Sequence, residues 1–98
     1  MHLILLSYVQ PMAEVDRHLQ AHREWLDAGY AAGAFVFSGP REPRTGGVIL
    51  VRSDDPDEVA RLVTFDPFHG AGVAAYEIVR FTATKYHPDF AGPLGEEG

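Results

Sequence analysis

Two side chains in this sequence have the type and setting that proton-transfer chemistry needs, His22 and Asp66. His22 stands in a row with Val15, Leu19, Leu26 and Gly29, spaced by threes and fours. On a helix turning about 100° per residue, that row is a single buried stripe with the imidazole near its middle. An imidazole facing inward must find hydrogen-bond partners or lose on the order of 1 to 3 kcal/mol. Asp66 continues the apolar period of Val59, Leu62 and Val63 by one turn, toward the same inter-helix space, although Asp66-Pro67 is itself a helix stop. A carboxylate beside a histidine fixes the ring tautomer and stabilises the imidazolium, so the pair suits a general acid or base. The residues alone also admit a structural reading: a satisfied core histidine, and an aspartate capping a short helix.

Other polar residues are less pointed. His18 and His22 are four apart, a spacing that can ligate a metal, but no intervening Glu and no third ligand accompany them, so no metal or organic cofactor is expected. Ser38 and Gly39, followed by Pro40, offer a hydroxyl and free amides that could touch a ligand; the simpler reading is a turn. No Gly-x-Ser-x-Gly elbow surrounds Ser38, which argues against an acyl-enzyme. The loop from Arg41 to Arg44 could supply a cation to an anionic substrate. Trp25 and Tyr30 flank the histidine stripe and are candidate walls for a flat organic ligand. His69 is expected at the surface, and His2 and His87 belong to no pattern. The glycines carry no phosphate-binding spacing.

The elements that must position these groups follow from hydrophobic period and turn chemistry. His2 to Val9 is apolar on both alternating faces, as in a central strand covered on both sides. One helix is expected from about Met12 to Ala32, with Gly33 as its stop. Ala34 to Phe37 reads as a short strand broken by Ser38-Gly39-Pro40, and Val48 to Val51 as the next strand. Asp55-Pro56-Asp57-Glu58 supplies an N-cap, a proline at the first helical position and an early acidic residue. Asp66-Pro67 ends that second helix, and Phe68 to Gly72 allows one more turn. Val73 to Lys85 alternates as a fourth strand, and residues 86–98 read as a tail beyond a domain of residues 1–85.

The order βαββαβ is the ferredoxin-like, α+β arrangement with a four-stranded antiparallel sheet. Two helices cover one face of such a sheet, yet the first strand is apolar on both, which predicts a homodimer. The chain of 98 residues has a net charge of -6, with Lys+Arg 8 against Asp+Glu 14, and no basic cluster, so no nucleic-acid partner is expected. Leu3 to Leu6 is far shorter than the roughly 20 residues that span a bilayer, so no membrane association is expected. No basic segment or cleavage site marks a signal peptide, and the protein is expected in the cytoplasm. The absence of cysteine removes disulfides and thiolate chemistry.

With these residues in view, the sequence resembles the YciI-like, or YCII-related, family up to about Lys85. The likeness rests on His22, Trp25-Leu26, Gly33, Ser38-Gly39-Pro40, Asp66-Pro67-Phe68 and Tyr76-Glu77. It implies a subunit that pairs into a dimeric α+β barrel, with the helix histidine and the aspartate of the Asp-Pro-Phe motif as the active-site pair. Many members carry an arginine three residues before the histidine, where this chain has Leu19. A dehydrochlorinase of a chlorinated hydroxyhydroquinone is among the relatives, and other dimeric α+β barrels act on oxygenated ring compounds. Taken with the residues, the expected function is a small-molecule lyase or isomerase acting on a cyclic or phenolic substrate, chlorinated or not, with His22 and Asp66 catalytic and Ser38, Gly39, Trp25 and Phe68 contacting substrate. The alternative is a non-catalytic small-molecule binding or accessory protein in which the pair is structural.

Overall fold

The computed structural model describes residues 1–92. Strand β1 (His2–Tyr8) is followed by helices α1 (Met12–Arg17) and α2 (Leu19–Ala31), then by strands β2 (Phe35–Pro40) and β3 (Gly46–Val51). Helices α3 (Pro56–Thr64) and α4 (Pro67–Gly70) lead to strand β4 (Ala74–Arg80), and a short 3-10 turn covers Pro88–Phe90. The four strands form one antiparallel sheet in the order β2-β3-β1-β4. This is the ferredoxin-like arrangement expected from the sequence, with the two most apolar strands in the middle.

The core lies between one face of this sheet and the helices. Ile4 and Leu6 of β1, Ile49 and Val51 of β3, and Phe35 of β2 meet Val15, Val59, Val63, Phe68 and Val73 there. The pairing register puts Leu3, Leu50 and Val79 in one row across the opposite face, with Leu5 and Val48 in the next. Leu50 is buried although it is not part of the helix-side core, while Phe37 and Val79 are 49% and 40% exposed. Both faces of β1 are therefore apolar, but helices cover only one.

Several boundaries differ from the sequence expectation, and four of the differences have a clear local reason. The single expected helix is divided at His18, whose backbone turns to φ -110° and ψ 5°. Its N–H bonds the Val15 carbonyl at 3.0 Å in a tight three-residue turn, and its own carbonyl accepts from His22 N. The chain path continues through this pinch, so the apolar period crosses it. Strand β2 does not stop at Phe37: Ser38, Gly39 and Pro40 pair with Ile49, Val48 and Gly47. Strand β2 is an edge strand, where a proline costs no ladder bond on its outer side. Strand β4 ends at Arg80 rather than Lys85 because its partner β1 runs out at His2, opposite Arg80. Strand β1 itself ends at Tyr8, and Val9 N turns to the Val73 carbonyl. Of the expected tail, residues 93–98 lie outside the described residues.

Asp55 caps α3 as expected, accepting from Asp57 N at 2.9 Å with Pro56 in the first helical position. Among the described residues no helix is long and apolar enough to cross a membrane.

Strands β1 and β3 approach so closely at one end that only glycine fits. A Cβ placed on Gly46 would lie 1.8 Å from the Leu6 carbonyl oxygen. Gly46→Ala should therefore destabilise the fold by about 2 to 4 kcal/mol in denaturant unfolding. Gly70→Ala, whose added Cβ meets nothing within 4 Å, should stay within about 0.5 kcal/mol of the parent. Equal stability of the two variants would contradict the close approach.

Candidate active site

Helix α2 carries His22 toward the sheet because its inner side is narrow. Gly29 is its buried residue, and a Cβ there would meet the Phe35 ring at 2.1 Å. The helix then leaves through Gly33 at φ 77°. From the other side Asp66 arrives at the head of α4. Its Oδ1 accepts from Phe68 N at 3.0 Å, which caps the helix, and Pro67 occupies the first helical position. Capping draws the carboxylate inward, and Asp66 is 1% exposed.

The two groups meet. His22 Nδ1 lies 2.8 Å from Asp66 Oδ1, within the roughly 2.6 to 3.2 Å that a base and its orienting group require. Tyr76 of β4 donates its hydroxyl to Asp66 Oδ2 at 2.7 Å. Three donors thus converge on the two carboxylate oxygens, the acceptor-only pattern of an ionised carboxylate. With the carboxylate oxygen accepting, the imidazole donates from Nδ1, and Nε2 makes no hydrogen bond among the described residues. The Phe68 ring stacks beneath the imidazole, with centroids 4.1 Å apart and planes 5° from parallel. The ring is held by a hydrogen bond at one edge and by a buried phenyl on one face.

Beside it opens a cavity of about 320 Å³, at the lower end of the size of ordinary ligand sites. Leu6, Leu19, Leu26, Ile49 and Phe68 form its apolar wall, and His22 lines it. Ser38 and Gly39 contribute from β2, and the Ser38 hydroxyl is 2.6 Å from that of Tyr30. Arg23 and Arg44 supply charge. Arg44 bonds Asp16 at 2.9 Å and lies over the Tyr8 ring, 5.9 Å from its centroid.

Of the residues singled out in the sequence, His22, Ser38, Gly39 and Phe68 share this cavity, and Asp66 stands behind His22. Trp25 does not line it; its ring packs edge-on to Phe35 at 5.2 Å and tilts against His22 at 5.7 Å. Tyr30 reaches the cavity only through Ser38. The loop cation is Arg44, while Arg41 turns to the Ser7 hydroxyl. His18 sits at the junction of α1 and α2, and His69 is exposed beside Tyr76. No three His, Cys, Asp or Glu side chains converge as metal ligands among the described residues. His2 is buried at 1% exposure, with Nδ1 against the Ser53 carbonyl and Nε2 without a partner. Sequence reasoning took Tyr76 as a strand position and as part of the family likeness but gave its hydroxyl no partner, and it missed the place of Arg23 on the cavity.

Burial, the hydrogen bond to Asp66 and the charge of that carboxylate all push the Tyr76 phenol above its usual value of 10.0. A phenol held protonated in the folded state contributes stability that is complete below the unfolded value and is lost as pH rises past it. Tyr76→Phe should therefore flatten the alkaline limb of the stability curve, from about pH 10 upward. Denaturant midpoints measured across that range check this. An unchanged alkaline slope in the variant would contradict the bonding of this half-buried phenol to Asp66.

Comparison with known proteins bears on the fold and the family. A structure of 5-chloro-2-hydroxyhydroquinone dehydrochlorinase from Burkholderia phenoliruptrix, in complex with 2,5-dihydroxybenzoquinone, superposes with a TM-score of 0.67 at 23% identity, over 84% of this chain and 94% of that one. At that identity the likeness establishes the fold. No curated protein matches the sequence. The family model of the YCII-related domain matches residues 1–82, and the chain belongs to the YCII-related domain family.

Proposed function

We propose that the protein is a small-molecule lyase or isomerase in which His22 moves a proton on a cyclic or phenolic substrate, chlorinated or not, with Asp66 as its orienting partner. The observation that carries this reading is the 2.8 Å bond from His22 Nδ1 to Asp66, which leaves Nε2 available beside an open cavity. Nε2 takes a proton from a C–H or O–H of the bound ring, and Asp66 stabilises the imidazolium so formed. In an isomerisation the proton returns to another atom of the ring. In an elimination the electron pair of the broken C–H bond becomes a ring double bond as chloride leaves the adjacent saturated carbon, and the proton stays on Nε2. Neither course calls on a metal or organic cofactor. The dehydrochlorinase of similar fold acts on a chlorinated ring compound, which favours the same substrate class here. Ser38, with the Tyr30 hydroxyl behind it, and the adjacent Gly39 are the proposed orienting contacts, with Phe68 and Trp25 bracing the imidazole.

The same reading includes a homodimer. Leu3, Leu5 and Val79 lie on the sheet face opposite the helix-side core, with Val79 40% exposed, and a second copy would bury what is exposed there. The solution mass at micromolar concentration should be twice that of one chain; a strict monomer would contradict it.

A screen of phenolic, lactone and chlorinated ring compounds should yield turnover by the native protein. His22→Ala should lower that rate about 10² to 10⁴-fold while keeping its circular dichroism spectrum. Activity that survives in a folded His22→Ala variant would remove His22 from the reaction.

A further inference from the structure

We propose that the cavity binds its ligand as an anion, a planar ring bearing a charged oxygen that Arg23 and Arg44 receive. This rests on the cavity being the substrate site, but not on which reaction occurs there. Among the described residues, formal charge on the cavity wall comes from these two arginines, and no carboxylate lines it. This runs against a chain whose net charge is -6. The lining itself is therefore cationic, with Asp16 behind Arg44 and Asp66 behind His22.

The two cations are held differently. Arg44 is preset: Asp16 accepts from one of its terminal nitrogens at 2.9 Å, and its guanidinium lies over the Tyr8 ring, which itself lines the cavity. A guanidinium has five N–H donors, so this ion pair leaves others to face a ligand. Arg23 follows His22 in the chain, lines the cavity and makes no ion pair or hydrogen bond among the described residues. A charged oxygen between them would accept from both, while the ring rests on the apolar wall of Leu19, Leu26 and Phe68. Arg23 extends from the same helix as His22, so the anchored oxygen and the nitrogen that takes the proton would address one ring together.

Isothermal titration with matched pairs separates charge from shape: benzoate against benzamide, and salicylate against salicylamide, none of which needs to react. Each carboxylate should bind at least about tenfold more tightly than its amide, and rising salt should narrow the gap. Arg23→Gln should cut the preference about three- to tenfold, and Arg23→Gln with Arg44→Gln should abolish it while leaving amide binding unchanged. Equal affinity for carboxylate and amide, no measurable binding of either carboxylate, or a preference that survives the double variant would overturn the proposal. His22→Ala should keep the preference even where turnover is lost, so a failure of the proton-transfer reading is told apart from a failure of this one.

Discussion

The buried carboxylate of Asp66 ties together the elements that make up the site. One oxygen accepts from the backbone of α4 and from the imidazole of α2, and the other accepts from the phenol of β4. A carboxylate taken out of water must be hydrogen-bonded on both oxygens to be tolerated, and here each donor comes from a different element. Removing the carboxylate would leave a half-buried phenol without its acceptor, a helix without its cap and an imidazole free to rotate. The direction of His22 is therefore a consequence of how Asp66 is satisfied.

The sheet supplies the rigid side of this arrangement. Close approach of β1 and β3 at Gly46, and of α2 and Phe35 at Gly29, sets the spacing between helix and sheet. Phe68 then fits beneath the imidazole and Tyr8 meets Phe68 edge-on at 5.9 Å. These contacts brace the wall of the cavity on the side of the histidine, while the loop between β2 and β3 brings Arg44 over Tyr8. Packing and polar satisfaction converge on one geometry, which is what a preorganised proton-transfer site requires.

Much of this was legible from residue pattern. A histidine inside an apolar stripe and an aspartate before a proline pointed to the pair, and the strand order followed from hydrophobic period and helix-start signals. The break at His18 was not legible, because a tight turn that keeps the chain path also keeps the period of three and four. The extension of β2 through Pro40 was hidden by turn-forming residues that an edge position tolerates. Tyr76 looked like one more alternating strand residue; only the arrival of Asp66 beneath β4 gives its hydroxyl a partner. Arg23 lies next to the stripe rather than on it, and a helix-face argument cannot see that a long side chain folds over the cavity rim.

The central claim is that Asp66 holds His22 with its proton on Nδ1 and its Nε2 lone pair turned to the cavity. Long-range proton–nitrogen correlation spectra of selectively labelled histidine report that tautomer directly. The expected result at neutral pH is a protonated Nδ1 and an unprotonated Nε2 for His22, with the preference lost in Asp66→Ala. A proton on Nε2 in the native protein would contradict the account.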